Sequence, residues 1–272
     1  MAFRSHVTRP FDLSLLSNRL LFGLAGTAGA VALYLWMSQD SFEVLWAPGH
    51  VLAGWALARE LDPDHQWPAL TAGAMAGAWV LLGQPAVSVL AILGLLVAAR
   101  LVVNTTGRRP LTSDLIGVAL VATLISHTRG GWVAGSGLAL AIYIDDRMAE
   151  SSDQRAVVSA AAAALGASVV ATAARVFPSR VPDLEPLPVT VMGVVALALL
   201  IRQPPEPTSL VDSRIKTPIV LERLHAGRAL VGILVFVASI LVGPEVAGLA
   251  PVLAALTLVL VASEVERFLR RR

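Results

Sequence analysis

Apolar residues along this chain fall into runs, each closed by proline, glycine or charge, the punctuation expected between helices that lack a polar face. Ten runs can be read, at 19–38, 43–58, 67–83, 85–103, 113–126, 131–144, 156–174, 188–201, 229–242 and 246–262. A helix that crosses a bilayer needs about 20 residues, within roughly 17–25. Some runs reach that length outright and others only by borrowing flanking residues, so ten is an upper count. Strands of a membrane barrel would alternate apolar and polar positions. The run from Ala156 to Leu165 does not alternate, and its alanines favour helix. The pattern predicts an all-α integral membrane protein, a polytopic bundle of eight to ten spans.

Composition agrees. Of 272 residues, 56% are hydrophobic and 15% charged, with a mean hydropathy of +0.72, whereas a soluble domain carries about 25% charged residues. A water-facing globule, a disordered chain, a coiled coil and a nucleic-acid-binding module are excluded on that ground. With no cysteine, thiolate metal sites, disulfides and cysteine nucleophiles are excluded too. Basic residues then set orientation, because lysine and arginine stay on the cytoplasmic side. With ten spans and the N-terminus inside, only Arg129, Arg175 and Arg180 of the 21 basic residues fall outside. Both termini are expected in the cytoplasm, and the membrane to be the plasma (inner) membrane.

The domain plan follows. Residues 1–18 are expected as a cytoplasmic or interfacial segment, 19–201 as spans one to eight, 229–263 as spans nine and ten, and 264–272 as a basic tail. The first run is read as a retained span, since no small-residue cleavage site follows it. The loop 202–228 opens on Pro204-Pro205-Glu206-Pro207 and interleaves Arg214, Lys216, Arg223 and Arg228 with apolar residues at roughly helical spacing. Anionic lipid head groups would hold such a segment to the membrane surface, at about 1 kcal/mol per basic residue. Small residues one turn apart, as at Gly73 and Gly77, allow spans to approach closely. The runs 113–126 and 131–144 are short for a span. They are expected as two full spans extended by Thr112 and His127, a re-entrant hairpin being the other arrangement.

On this topology Asp62, Asp64, Asp114, Asp145 and Asp146 share the inner face. Asp62, Asp64, His65, Asp145 and Asp146 supply the oxygen and nitrogen donors a divalent cation such as Mg²⁺ would take from converging loops. Arg108 and Arg109, with Asp114 close in sequence, suit a phosphate beside such an ion. His50 lies inside the second run next to Pro48 and Gly49, where an irregular helix could line a substrate path, about 10 Å from the outer edge. No zinc-type His pair, P-loop or Gly-x-Ser-x-Gly elbow is present.

Two short stretches resemble known families. Asn104-Thr-Thr-Gly-Arg-Arg-Pro-Leu111 resembles the segment after the first aspartate motif of UbiA-type prenyltransferases, although residues 104–107 hold no aspartate. Asp62-Pro-Asp-His65, after His50, is similar to small membrane-bound metal-dependent hydrolases, whose further His-rich motifs this chain lacks. Many short, glycine-rich spans with few side-chain motifs suit a small permease or carrier. The alternatives are an enzyme acting on a prenyl or lipid phosphate at the cytoplasmic face with a divalent cation, and a non-catalytic subunit of a membrane complex.

Overall fold

The computed structural model describes residues 15–84, 88–105, 110–128, 131–148, 154–176 and 218–242, with isolated positions at 198, 204, 207, 257, 260, 261, 264, 265, 268 and 269. It is all-helical, with no strand among the described residues. The helices are α1 (Leu16–Gln39), α2 (Ala47–Leu61), α3 (Gln66–Leu81), α4 (Val89–Val103), α5 (Thr112–Ser126), α6 (Gly131–Arg147), α7 (Gln154–Val176) and α8 (Leu221–Val242). A single 3₁₀ turn, Phe42–Trp46, leads into α2. Among the described residues one helix, Leu16–Gln39, is long and apolar enough to cross a membrane by length and composition. Val89–Val103, Thr112–Ser126 and Val157–Val170 are apolar and shorter. The expected spans 188–201 and 246–262 and the segment 1–14 lie outside the described residues, apart from isolated positions.

Two boundaries differ from the pattern. The run 43–58 divides, with Glu43–Trp46 in the 3₁₀ turn and α2 beginning at Ala47. Pro48 therefore sits in the first helical turn, where its missing N–H removes no helix bond. The helix expected to be irregular around Pro48 and Gly49 is regular. At the other end of the chain, Leu221–Arg228 begins α8 rather than lying along the surface as the end of a loop. Elsewhere local chemistry stops the helices where charge and turn residues stand. Asp40 and Asn104 close α1 and α4 in the left-handed conformation, and Pro63 forces Asp62 out of α2. Asp114 Oδ2 accepts the Leu111 N–H at 3.1 Å and caps the start of α5.

α4 is the axis of the bundle. Ten of its fifteen residues are buried, on every side of the helix, which an apolar Leu-Ala-Val sequence permits. One side of α4 meets α2 and the other meets α6, with α8 lying along both α4 and α6. α1, α2 and α3 pack together as one group and α5, α6 and α7 as another. The α2–α3 seam is the closest. A Cβ on Gly73 would come within 2.7 Å of the Val51 carbonyl oxygen, so this position admits hydrogen alone. In the second group Ser126 and Ser168 meet Oγ to Oγ at 2.9 Å in the space that the missing Cβ of Gly135 leaves open. Each hydroxyl also lies within hydrogen-bonding distance of the carbonyl four residues earlier, Ala122 at 2.7 Å and Ala164 at 2.9 Å, so two hydroxyl protons serve three contacts. No hydroxyl of this buried pair is left without a partner.

Gly73→Ala would drive α2 and α3 apart, because the contact it creates is with backbone. Overpacking of this kind costs about 1–3 kcal/mol. The expected outcome is a lower Tm for Gly73→Ala with little change for Gly23→Ala, where a Cβ meets nothing within 4 Å. Equal Tm values for the two variants would count against the seam.

Candidate functional site

The C-terminal ends of α2, α4 and α6 and the first turns of α8 meet at one end of the bundle, where Glu60, Asp62 and Arg228 are buried and Arg100, Asp145 and Arg223 largely so. Such an end leaves carbonyls that no helix N–H can reach. Two arginines of α8 supply the donors. Arg228, 2% exposed, gives its Nε–H to the Leu61 carbonyl at 2.6 Å, and its Nη2 lies 3.8 Å from Asp62 Oδ1. Arg223 gives Nη1–H to Asp145 Oδ1 at 2.7 Å and to the Val102 carbonyl at 3.1 Å, and Nη2–H to the Met148 carbonyl at 3.3 Å. Positive charge at a helix C-terminus also opposes the macrodipole. α8 thereby joins the ends of three helices.

Beside this joint lies a buried ion pair. Glu60, 2% exposed, accepts from Arg100 Nε at 3.1 Å and Nη2 at 3.0 Å, both at Oε2. Its other oxygen, Oε1, accepts from the Thr105 hydroxyl. Thr105 reaches it because Asn104, in the left-handed conformation, turns the chain immediately after α4. In the turn after α2, Asp62 accepts from His65 Nδ1 at 2.9 Å on both of its oxygens. Burial pushes the Asp62 carboxyl above its ordinary range, against the His65 hydrogen bond and the Arg228 charge, which pull it down.

A cavity of about 490 Å³ opens next to the ion pair, between α1, α2 and α4. Gly49 packs against Val89 at one end of the two helices and Glu60 pairs with Arg100 at the other, so α2 and α4 run parallel with a constant offset of forty residues. α1 runs antiparallel to α2, with Gly29 against Pro48, which brings its first turn to the Glu60 end. Asn18, Arg59, Glu60 and Arg100 line that end. Phe22, Leu52, Ala56, Leu93 and Leu96 are among the residues that line the rest.

The residues singled out in the sequence divide between these features. Asp62 and His65 bond to each other, and Asp145 is held by Arg223. Asp64 is half-buried in the turn beside them, and Asp146 half-buried on α6. Among the described residues no three His, Asp or Glu side chains come together as a metal site would need. Asp114 caps α5. His50, 3% exposed, donates Nδ1–H to the Trp46 carbonyl at 2.9 Å in the first turn of α2. It is not among the residues lining the cavity. Arg108 and Arg109 lie outside the described residues. Sequence reasoning missed the Glu60–Arg100 pair and the roles of Arg223 and Arg228. Its signal was available: a carboxylate and a guanidinium at matching ends of two helices that run in the same direction once α3 returns the chain. No family model, curated protein or solved structure matches this chain.

Removing one partner of a buried pair leaves the other charge uncompensated, at about 3–5 kcal/mol. Glu60→Ala should therefore lower stability by that order, and Glu60→Leu combined with Arg100→Met should recover most of the loss. Urea unfolding in detergent measures both. A double variant no more stable than Glu60→Ala would mean the pair is not the interaction lost.

A raised pKa makes the folded chain hold the Asp62 proton more tightly than the unfolded chain, whose carboxyl titrates near 3.8. Ionised Asp62 thus opposes folding above its folded-state pKa, and the opposition fades as pH falls through that pKa toward the unfolded value. Asp62→Asn cannot titrate. From about pH 7 to about pH 4, the Tm of the wild-type chain should rise relative to that of Asp62→Asn. A difference that stays flat, or moves the other way, would contradict the burial argument.

Proposed function

We propose that this chain is a multi-pass protein of the plasma (inner) membrane, of eight to ten spans with both termini cytoplasmic, and that it works as a small carrier whose substrate path is the α1–α2–α4 cavity. The observation that carries the reading is the inverted placement of polarity. Glu60, Asp62 and Arg228 are at most 3% exposed, while Tyr34 and Met37 of α1, Leu120 and Leu124 of α5 and Val169 and Val170 of α7 are 58–75% exposed. Water would penalise both halves of that arrangement, whereas lipid accepts the apolar exterior and requires charges to be paired inside. Close glycine contacts and a buried serine pair serve where packing and polar bonds, rather than water, hold helices together.

The ends of α2, α4 and α6 come together with the start of α8, in keeping with spans that alternate in direction and a cytoplasmic loop 202–228. The cavity favours a carrier over a purely structural subunit, which needs none. The arginines of α8 that meet Asp62 and Asp145 speak in the same direction against an enzyme using a divalent cation, since those are two of the acids such an ion would draw on.

The chain has no cysteine, so single-cysteine variants report cleanly. In intact cells an impermeant maleimide should label Asp40→Cys and Thr128→Cys, should label Gln66→Cys only after lysis, and should leave Leu120→Cys unlabelled in both conditions. Labelling of Leu120→Cys would mean that face meets water, and the membrane reading would fall. A silent Thr128→Cys would favour a re-entrant hairpin over two full spans. For a carrier, Ala56→Cys on the cavity wall should react from the outside in right-side-out vesicles and from the inside in inverted ones. Reaction from one face only would remove the carrier.

A further inference from the structure

The turn from α2 to α3 stands between two hollows. On its α2 side Arg59 and Glu60 line the α1–α2–α4 cavity. On its α3 side Asp64, His65 and Trp67 line an open pocket of about 520 Å³, with Val265 and Leu269 across from them. Asp62 lies between the two. Its side chain is 5% exposed and that of His65 27%, and His65 Nδ1 stands 2.9 Å from both carboxylate oxygens. The imidazole is the member of this pair that reaches the surface, and the carboxylate lies behind it. Asp62 also faces Asp64 of its own turn and Arg228 of α8, whose Nη2 is 3.8 Å away. Beyond Leu61, Glu60 is paired with Arg100 of α4, and Glu264 is exposed next to Val265. A separation of 3.8 Å exceeds a hydrogen bond. The Asp62–Arg228 link is therefore an attraction between charges, and it ends when the carboxylate is neutral. The bond from Arg228 Nε–H to the Leu61 carbonyl does not depend on that charge.

From this arrangement we infer that Asp62 binds a proton delivered from the open pocket through His65, and that its protonation loosens α8 from the end of α2 and so opens the polar end of the α1–α2–α4 cavity. The inference concerns the regulation of the proposed substrate path and rests on that reading. The proton balance closes within the pair. His65 gives its Nδ1 proton to Asp62 and takes one from water on its other ring nitrogen, which leaves a neutral acid and a neutral imidazole. Burial favours this protonated form of Asp62. Whole-chain stability and the α2–α8 link then respond oppositely. Protonation removes the cost of a buried carboxylate, so the folded chain gains, while the Coulomb attraction that draws Arg228 to the turn is lost. The cavity feels the change because Arg59 and Glu60 stand on the last turn of α2, directly before Asp62.

Trp55 lines the cavity and is 9% exposed, so quenching of its fluorescence by acrylamide reports how readily a small water-soluble molecule enters. The other five tryptophans, Trp36, Trp46, Trp67, Trp79 and Trp132, are replaced by phenylalanine, and the full-length chain is placed in phosphatidylcholine nanodiscs. As pH falls from about 8 to about 4, quenching of Trp55 should rise. Asp62→Asn, which keeps the shape of the protonated acid, should lose that dependence and show the low-pH quenching throughout. His65→Leu removes a hydrogen bond that favours the ionised carboxylate, so it should move the transition to higher pH. A second measurement keeps all six tryptophans: the infrared difference spectrum between the same two pH values should contain the C=O stretch of a protonated carboxyl that Asp62→Asn removes. Quenching that is flat in the parent chain, or equally pH-dependent in Asp62→Asn, overturns the inference. So does a dependence abolished by His65→Leu, since the imidazole would then be the titrating group, or an infrared difference unchanged by Asp62→Asn. If Ala56→Cys reacts from both faces while Trp55 does not respond to pH, the regulation alone is wrong. If Leu120→Cys is labelled, the carrier reading falls as well.

Discussion

The fold depends on where the backbone carbonyls at the ends of α2, α4 and α6 find donors. A helix cannot satisfy its own last carbonyls, and at this end of the bundle three helices stop together. Arg223 and Arg228 of α8 reach the carbonyls of Val102, Met148 and Leu61, and the same two guanidiniums meet the carboxylates of Asp145 and Asp62. Few side chains could do this. Lysine has no planar fork to spread donors over carbonyl and carboxylate at once, and a hydroxyl would bring no charge to balance the acids. Everything else at this end, including the turn from Asp62 to His65 and the Glu60–Arg100–Thr105 chain, is arranged beside that joint.

The buried ions are affordable only because they are connected. A carboxylate taken out of water alone would sooner take up a proton than remain charged, and a guanidinium, which keeps its charge, would disrupt the helices around it. Glu60 accepts from Arg100 and Thr105, Asp145 from Arg223, and Asp62 from His65, so each acid has hydrogen-bonded donors as well as opposite charge. Asp62 has the least of this compensation, since Arg228 stands 3.8 Å away, and it is the carboxyl whose titration burial displaces. Neutralisation therefore grades across the joint, firm at Glu60 and weakest at the turn after α2. The cavity opens on the firm side, next to Glu60 and Arg100.

Much of the fold could be read in the residue pattern, because helices without a polar face must end at proline, glycine, asparagine or charge. The ends of α1, α4, α5 and α6 fall within a few residues of those signals. The start of α8 could not be read that way. Arg223 and Arg228 look like part of a surface segment held by lipid head groups until the acids they face are known, and those acids lie more than seventy residues earlier. The same distance explains the partial reading of the site. Asp62, His65 and Asp145 stand out as chemistry-bearing residue types, but sequence alone cannot decide between a shared cation and arginines as the charges that draw them in. The Glu60–Arg100 pair needed the forty-residue register of α2 and α4, which α3 imposes by returning the chain. His50 illustrates the reverse case. A polar residue beside Pro48 and Gly49 suggests an irregular helix, yet at the first turn proline starts a helix rather than breaking one, and the imidazole bonds to the Trp46 carbonyl.

The joint also orders events during synthesis. Glu60, Asp62 and Asp145 leave the ribosome long before residues 221–228, and of the three only Glu60 has its arginine partner, Arg100, within the first half of the chain. Until α8 arrives, the ends of α2, α4 and α6 hold carbonyls and two carboxylates without the guanidiniums that later meet them. A nascent chain stopped ahead of Leu221 would contain seven of the eight described helices and lack the arginines that join the ends of three of them. α8 is thus the helix that ties three earlier ones together at this end, and a chain that stops before it leaves Asp62 and Asp145 without their arginines.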